Sequence, residues 1–257
     1  MHFPKISIIT ITFNNLSGLK KTVESVETLS HAEYEHIVID GGSSDETKAF
    51  LSNYNGHSIT WVSEPDNGIY DAMNKGIKRS TGSWIIFMNA GDIFVNRTLF
   101  SKIDLTGEFD IIYGNSYISY SGGFRRLSKP SRIEKIWKGM SFTHQAVICK
   151  RELIVHHPFD LKWEYCADFE QIFSFFLQKK QFCYQDTGFC EIEAGGISDT
   201  KRYKATLEVY RINKQLNPGI GIHFFFVAKI VSGFLTVNIK KVIPKKLKSY
   251  LLRKKYR

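Results

Sequence analysis

An unbroken apolar run at residues 84–88 (WIIFM) constrains the fold of this chain more than any other stretch. A run of that length without a polar residue predicts a strand covered on both faces, at the centre of a sheet. Ile69, Met73 and Ile77 recur before it at helical spacing, and the polar residues 89–92 (NAGD) follow it. Because ligands of open α/β sheets bind at the carboxyl ends of strands, residues 89–92 are predicted to border a binding site.

Three further strand patterns precede this stretch. Residues 5–13, 34–40 and 59–63 are apolar, strand-like runs, and helical patterns separate them from one another and from residues 84–88. Ser17 is the predicted N-cap of the first helix. Strand–helix alternation predicts parallel strands with right-handed crossovers, so the polar loops after the strands converge on one edge. A nucleotide is expected to bind there, although neither a GxGxxG nor a GxxxxGK[ST] motif is present.

The loop after the buried strand offers oxygen ligands for a hard cation. Asn89 and Asp92 could bind Mg²⁺ or Mn²⁺, which would bridge a diphosphate and neutralise charge on a leaving group. A carboxylate in a loop is more often solvated surface. Its position after a wholly apolar strand favours the functional interpretation here.

Positive charge is concentrated at the end of the chain. The 257 residues carry a net charge of +10, but 12 Lys or Arg and no acidic residue follow Glu208, whereas residues 1–208 hold 23 basic and 25 acidic residues. The length allows one large α/β domain or two modest ones. The four cysteines form no CxxC pair, which predicts reduced thiols, and no signal-peptide pattern opens the chain, so a cytoplasmic location is expected.

The segment before the basic tail, residues 220–239, is apolar, but His223, Lys229 and Asn238 argue against a membrane span. A helix at the membrane interface followed by the basic residues 240–257 is the favoured interpretation, because lysines would meet anionic lipid. A helix packed on the body with a solvated tail is the alternative. Nucleic-acid binding has less support, because no recognised nucleic-acid-binding module is present.

Four motifs together resemble a known family. SIITITFNN, VIDGGSSDET, SEPDNGIYDAMNKGI and GSWIIFMNAGD are similar, in this order and spacing, to the nucleotide-binding half of glycosyltransferase family 2, and are closest to bacterial enzymes of colanic acid, O-antigen and capsule biosynthesis. The resemblance covers residues 4–100 and, more loosely, 140–195. It implies a GT-A (Rossmann-like) α/β fold in residues 1–200, with a mixed, mainly parallel sheet flanked by helices. Residues 1–100 would bind the nucleotide sugar, residues 101–200 the acceptor, and residues 201–257 would form an amphipathic, membrane-associating helical tail.

The resemblance also assigns donor-binding positions. Thr12, Asn14 and Asp40 correspond to the uridine pocket, and Asp66, Asn74 and Lys75 lie on the segment that lines the sugar diphosphate in relatives. Residues 89–92 stand in place of the family's DxD metal motif, in which Asn89 and Gly91 replace carboxylates and leave Asp92 as the anionic metal ligand. The predicted donor-binding residues are Thr12, Asn14, Asp40, Ser43, Glu64, Asp66, Asn67, Asn74, Lys75 and Asn89.

The second half is predicted to contain a hairpin at residues 109–130 and a late strand pair at residues 182–193. A flexible linker at residues 194–198 and a helix at residues 200–216 follow. His144 and Gln145 are expected on the acceptor side by resemblance, although a structural histidine is the common alternative. Asp168 opens a helix, where it could serve as a cap. By resemblance it is the general base, with Glu170 in reserve.

These features predict a membrane-associated glycosyltransferase. It would move a sugar, with inversion, from a nucleotide donor, expected to be UDP-linked, to a lipid-diphosphate-linked saccharide at the cytoplasmic side of the inner membrane. A catalytically silent sugar-nucleotide or glycan-binding relative is the alternative, because the DxD position is degenerate. The geometric expectation is that Asp40, Asp66 and Asp92 meet around one diphosphate, with Asp168 facing it.

Overall fold

The computed structural model describes residues 5–30, 33–56, 59–120, 123–195 and 201–242, with side chains as far as Val231. Two compact units divide the chain, residues 1–200 and residues 201–257. The predicted basic tail after residue 242 and most of the predicted linker at residues 194–198 lie outside the described residues.

The first unit alternates strands and helices in its amino-terminal half. Its strands are β1 (Ile6–Thr12), β2 (Tyr34–Asp40), β3 (Ile59–Ser63), β4 (Trp84–Phe87), β5 (Ile93–Phe94), β6 (Ile111–Ser119), β7 (Arg125–Ser128), β8 (Val147–Lys150) and β9 (Phe182–Glu193). Its α-helices are α1 (Leu16–Glu27), α2 (Thr47–Ser52), α3 (Ile69–Arg79), α4 (Arg151–His156) and α5 (Ala167–Leu177). Two 3-10 helices span Ile133–Lys138 and His144–Ala146.

The strands form one mixed sheet in the order β3-β2-β1-β4-β8-β6-β9-β5, with β7 paired to β6. β1 to β4 are parallel, β8 runs antiparallel to both β4 and β6, and β9 is parallel to β6. The carboxyl ends of β1 to β4, β6 and β9 therefore share one edge. This arrangement confirms the predicted mixed α/β sheet flanked by helices, and β4, buried along its whole length, lies at its centre as predicted.

Two local predictions are corrected. Residues 182–193 form a single strand, not a strand pair, because the turn-like residues 186–188 are an irregularity where β9 shifts register against β6. The first helix is capped by Asn15, whose side chain accepts a hydrogen bond from the Gly18 amide, and not by Ser17. Helix α1 thus begins right after Asn15, three residues beyond the end of β1, at the edge where the parallel strands end.

Glu35 on β2 joins three segments at the opposite, amino-terminal edge of the sheet. Its carboxylate accepts hydrogen bonds from Lys5 Nζ (3.2 Å), Ser7 Oγ (2.6 Å), the Thr81 amide (2.6 Å) and the Gly82 amide (3.1 Å). Burial raises the pKa of Glu35, but these donors outweigh it and lower the pKa to about 2. The ionised carboxylate is therefore part of the folded structure.

Glu35→Gln is expected to lower the free energy of unfolding at neutral pH by about 2 kcal/mol, because it removes a charged acceptor. The folded-state pKa lies below the ordinary value of 4.5, so this stabilisation is present above pH 4.5 and is lost as the pH falls towards about 2. Denaturant unfolding of both proteins across this range measures it. A difference that does not shrink with acidification would contradict the account.

The second unit contains two helices, α6 (Arg202–Leu216) and α7 (Ile220–Val242). Phe226 is buried, and its ring lies 5.6 Å from that of Tyr210. Among the described residues no helix is both long enough and apolar enough to cross a membrane. Apolar side chains spaced one helical turn apart are exposed along α7 at Ile220, Phe224, Val227 and Val231.

Candidate functional site

The loops that follow β1 to β4 border one cavity of about 760 Å³ at the carboxyl edge of the sheet. Helix α3 closes one side of it, so residues distant in the sequence meet there. The lining residues are Ile11, Thr12, Phe13, Asn15, Gly41, Gly42, Pro65, Asp66, Gly68, Ile69, Ala72, Asn89 and Ala90. Of the predicted donor-binding residues, Thr12, Asp66 and Asn89 belong to this wall.

Asp40 lies beneath the cavity wall, not on it. Its side chain is fully buried and accepts hydrogen bonds from the Ser43 amide (3.1 Å), the Ser43 hydroxyl and the Ser63 hydroxyl (2.6 Å). Neither Asp40 nor Ser43 is among the residues that line the cavity, so their predicted direct contact with the donor stays a prediction. They fix the turn that exposes Gly41 and Gly42, and Gly42 has the positive φ (80°) that only glycine adopts without strain.

Asn14 ties the loop after β1 to the loop after β2. Its amide donates to Ser43 Oγ (2.7 Å), and its side-chain oxygen accepts from the Ser44 amide (2.8 Å). Asn14 is not among the residues that line the cavity, so its predicted contact with the donor stays a prediction. The neighbouring Phe13 does line it, with 63% of its surface exposed. The sequence pattern did not indicate that Phe13 lines the cavity, because it places Phe13 as the last apolar residue of the first strand.

Lys75 is held by the loop before α3. Its ammonium donates to Asp66 Oδ1 (2.5 Å) and to the Pro65 carbonyl (2.7 Å), and it lies 3.3 Å from Glu64 Oε1. Burial lowers the pKa of Lys75, but the hydrogen bonds that its ammonium donates to Asp66 and Glu64 outweigh burial and raise the pKa. Of these residues, Pro65 and Asp66 reach the cavity wall, so Lys75 acts there through Asp66.

Two other predicted donor residues on this segment are not among the residues that line the cavity. The Asn74 side chain donates to the Phe159 carbonyl and accepts from the Phe159 amide, both at 2.9 Å, so it fastens the segment before α5 to α3. Asn67 is exposed, and its backbone amide donates to Asp71. Phe159 carries no sequence signal of this role because it lies in an irregular segment.

Residues 89–92 form a tight turn around Thr22 of α1. The Thr22 hydroxyl donates to the Asp92 carbonyl (2.7 Å) and accepts from the Gly91 amide (3.0 Å). Asp92 lines an adjoining cavity of about 160 Å³, together with Lys21 and Glu193. Asn15 and Ala90 line both cavities, so Asp92 neighbours the larger one across a shared wall.

Among the described residues, the Asp92 carboxyl accepts a side-chain hydrogen bond from a neutral amide and lies near one other carboxylate. Burial raises its pKa to about 7, although Gln145 Nε2 donates to its Oδ2 at 2.7 Å, and the charge of Glu193 adds to the rise. Asn89 Oδ1 is shielded from solvent and has no hydrogen-bond partner among the described residues. The Asp92 carboxylate and Asn89 Oδ1 are therefore hard oxygen ligands that could coordinate a cation.

These two oxygens fit a cation that arrives with a diphosphate. No group of three or more His, Cys, Asp or Glu side chains in the described part of the chain could hold a metal alone. Magnesium sites commonly combine one or two protein oxygens with substrate phosphates and water, however. Asp92 and the unpartnered Asn89 Oδ1 meet that pattern.

Asp168 binds Tyr70 instead of capping its own helix. It is the second residue of α5, and its Oδ1 accepts a hydrogen bond from the Tyr70 hydroxyl at 2.8 Å. Burial and the Asp168 charge raise the pKa of Tyr70 well above its ordinary value, so Tyr70 stays a donor. Asp168 does not line the larger cavity. Tyr70 connects it to α3, whose residues Ile69 and Ala72 do.

His144 packs between aromatic rings. Its ring centroid lies 4.8 Å from that of Phe87 and 5.6 Å from that of Phe159. Both ring nitrogens are shielded and have no partner among the described residues. Burial lowers the pKa of His144, against the opposing charge of Asp168, so the ring is neutral at pH 7.

The sequence predicted Glu170 on the acceptor side, but its side chain does not face an open surface. It is 5% exposed, and its carboxylate lies 3.4 Å from His157 Nε2. Two positions beyond Asp168, it projects from another side of α5. Gln145, by contrast, reaches Asp92.

Comparison with known proteins identifies the family. Residues 7–161, more than half of the chain, match the profile of glycosyl transferase family 2. The chain belongs to glycosyl transferase family 2. A PGL/p-HBAD biosynthesis glycosyltransferase of Mycobacterium bovis is 30% identical over 179 residues, which cover 66% of this chain and 69% of that protein. An uncharacterized glycosyltransferase of Mycobacterium tuberculosis is 48% identical over 92 residues. Those 92 residues are 35% of this chain and 35% of that relative's length.

Solved structures of GT-A glycosyltransferases confirm the GT-A fold. The mannosyltransferase PcManGT from Pyrobaculum calidifontis, solved with GDP-Man and Mn²⁺, superposes with a TM-score of 0.68 at 13% identity, covering 99% of this chain and 80% of its own. Residues 1–349 of TarS from S. aureus, solved with UDP-GlcNAc, superpose with a TM-score of 0.66 at 14% identity, covering 88% of this chain and 71% of that one.

Proposed function

We propose that this family 2 protein transfers a sugar, with inversion, from a nucleotide sugar to a hydroxyl of a lipid-linked saccharide. The observation that carries the proposal is the cavity at the carboxyl edge, where the loops after four parallel strands meet and Asp168 is coupled to α3 through Tyr70. UDP is the proposed nucleotide.

The donor is proposed to lie along the loops after β1 and β2. The exposed ring of Phe13 offers a stacking surface for the base, and Gly41 and Gly42 let the chain approach the ligand closely. The Thr12 hydroxyl is shielded and without a partner among the described residues, so it offers a further polar contact. Asp66, which is paired with Lys75, can accept hydrogen bonds from hydroxyls of the donor.

Phe13→Ala is expected to weaken UDP binding about tenfold, because stacking of a base on an aromatic ring contributes roughly 1–3 kcal/mol. Phe13→Tyr keeps the stacking ring and serves as the matched control. Isothermal titration with UDP measures both. Equal affinity of all three proteins would place the base elsewhere.

Asp92 and Asn89 Oδ1 would hold the divalent cation. When bound, the cation neutralises charge that develops on the diphosphate leaving group. Gln145 orients the Asp92 carboxylate, and the Thr22 hydroxyl fixes the turn that carries it. Lys75, paired with Asp66, adds a positive charge near the cavity.

Asp168 is the proposed general base. Its carboxylate would take the proton from the acceptor hydroxyl while that oxygen bonds to the anomeric carbon and the bond to the diphosphate oxygen breaks. The Tyr70 hydroxyl orients the carboxylate, and neutral His144 adds no competing positive charge. Asn74 holds Phe159, which packs on Tyr70 and His144 and so stabilises this group.

The acceptor is proposed to be carried by a membrane at its cytoplasmic side. The exposed apolar stripe of α7 and the 12 basic residues after Glu208 support attachment to an anionic inner-membrane surface.

Replacing Phe224 and Val231 with Ser is expected to weaken partitioning into anionic vesicles at least tenfold, since each replacement removes apolar side-chain area that would be buried in the bilayer. Tyr203→Ser, exposed on α6, is the control. Unchanged partitioning of the double variant would contradict this attachment.

The alternative is a catalytically silent relative, and the observation in its support is that Asn89 and Gly91 stand where carboxylates are usual. One experiment decides between this alternative and an enzyme. The purified protein is incubated with a panel of UDP- and GDP-sugars and a lipid-diphosphate acceptor, with and without EDTA, and products are identified by mass spectrometry. We expect a glycosylated acceptor that EDTA suppresses. Donor binding without transfer for every sugar in the panel would support the silent relative.

A further inference from the structure

A basic stretch at residues 124–138 stands out within the first unit. It contains six Lys or Arg and one acidic residue, whereas the rest of residues 1–208 contains 17 basic and 24 acidic residues. Within residues 1–208, this segment therefore has a net positive charge, while the remainder has a net negative charge. The segment plays no part in the candidate site described above.

The stretch runs from the tip of the β6–β7 hairpin through β7 to the 3-10 helix Ile133–Lys138. Arg125 pairs with Glu191 (3.1 Å) and Lys129 with Asp186 (2.9 Å), so part of the charge is neutralised within the fold. All six basic residues are exposed, namely Arg125, Arg126, Lys129, Arg132, Lys135 and Lys138.

Large apolar side chains accompany this charge. Phe124 is 62% exposed and Leu127 42% exposed, and the Phe124 ring lies 5.7 Å from that of Tyr120 at the hairpin tip. Charges alone would protect an edge strand such as β7 from pairing, but exposed aromatic rings would not. Aromatic rings beside arginine and lysine match the polar–apolar boundary of a bilayer.

The hairpin leaves the sheet at the edge that carries the candidate site. The Ala194 amide donates to the Ser119 carbonyl at the end of β6 (2.8 Å), and the adjacent Glu193 lines the smaller cavity with Asp92. A partner that binds the hairpin would therefore lie near the Asp92 side of the candidate site.

We propose that residues 120 and 124–138, the basic hairpin surface, dock on an anionic lipid bilayer. Charge complementarity supports this partner, because the rest of residues 1–208 is acidic and would be repelled by such a surface. This contact is separate from α7 and does not require the proposed sugar transfer. Its consequence, that the Asp92 side of the site faces lipid-borne acceptors, rests on the proposed function.

The test is hydrogen exchange of the full chain, read by mass spectrometry, with vesicles of phosphatidylcholine alone or mixed with phosphatidylglycerol. We expect slower exchange in peptides covering residues 120 and 124–138 with mixed vesicles only. Arg126→Gln with Lys135→Gln should weaken vesicle affinity about 30-fold, since each basic residue contributes roughly 1 kcal/mol near an anionic surface. Lys48→Gln with Lys102→Gln, two exposed lysines elsewhere in the unit, is the control of equal charge.

Phe124→Ser provides a second variant, and UDP affinity shows whether each variant is folded. Protection that is lost in Phe124→Ser and in the hairpin pair, but kept in the control pair, supports the proposal. Vesicle binding without protection of this segment would overturn it, as would equal protection on neutral vesicles. Protection that grows with protein concentration in the absence of lipid would indicate self-association and also overturn it.

Discussion

Asp168→Asn is expected to lower the turnover number for sugar transfer by about 10³-fold while leaving the affinity for UDP unchanged. The amide keeps the shape of the side chain but cannot take the proton of the acceptor hydroxyl. The Asp168 carboxylate contacts Tyr70, not the wall of the donor cavity, so donor binding should not depend on it. Single-turnover rates with labelled donor, together with titration of UDP, measure the two quantities.

Tyr70→Phe is the matched comparison for this prediction. It removes the hydrogen bond that orients Asp168 but leaves the base in place, so we expect a loss nearer tenfold, in line with one hydrogen bond to a charged group. Transfer by Asp168→Asn at the rate of the unmodified protein would exclude Asp168 as the base.

Asp92→Asn is expected to abolish metal-dependent transfer, with a loss of about 10³-fold, because the cation supplies several kcal/mol of charge stabilisation. Asp92 is the only carboxylate in the turn at residues 89–92. Binding of Mn²⁺ to the protein–UDP complex, followed by electron paramagnetic resonance, should weaken in parallel.

Gln145→Met separates ligation from orientation at the same site. It removes the 2.7 Å hydrogen bond to Asp92 but keeps the carboxylate, so Mn²⁺ binding should persist with a smaller loss of activity. Mn²⁺ binding by Asp92→Asn equal to that of the unmodified protein would show that the metal is held elsewhere.

The pattern of apolar and polar residues along the sequence was enough to predict strands β1 to β4 and the edge of the sheet where their loops meet. The apolar run at residues 84–88 contains the fully buried β4, and the polar loops after β1 to β4 meet at one edge. Parallel pairing forces that outcome, so the convergence of Thr12, Asp66 and Asn89 could be anticipated without coordinates.

The direction of individual side chains could not be predicted in the same way. Asp40 turns inward because Ser43 and Ser63 offer it hydroxyl donors, and Asn74 is occupied by the backbone of Phe159, 85 residues away in sequence. Glu170 is buried against His157. Each outcome depends on a partner that no local periodicity reveals.

A crystal structure of the protein with UDP and Mn²⁺ tests the central claim most directly. We expect the uracil ring against Phe13, the diphosphate along Gly41, Gly42 and Asp66, and the metal bound by Asp92 and Asn89. A nucleotide bound on any other face of the first unit, or in this cavity with its diphosphate pointing away from residues 89–92, would contradict it.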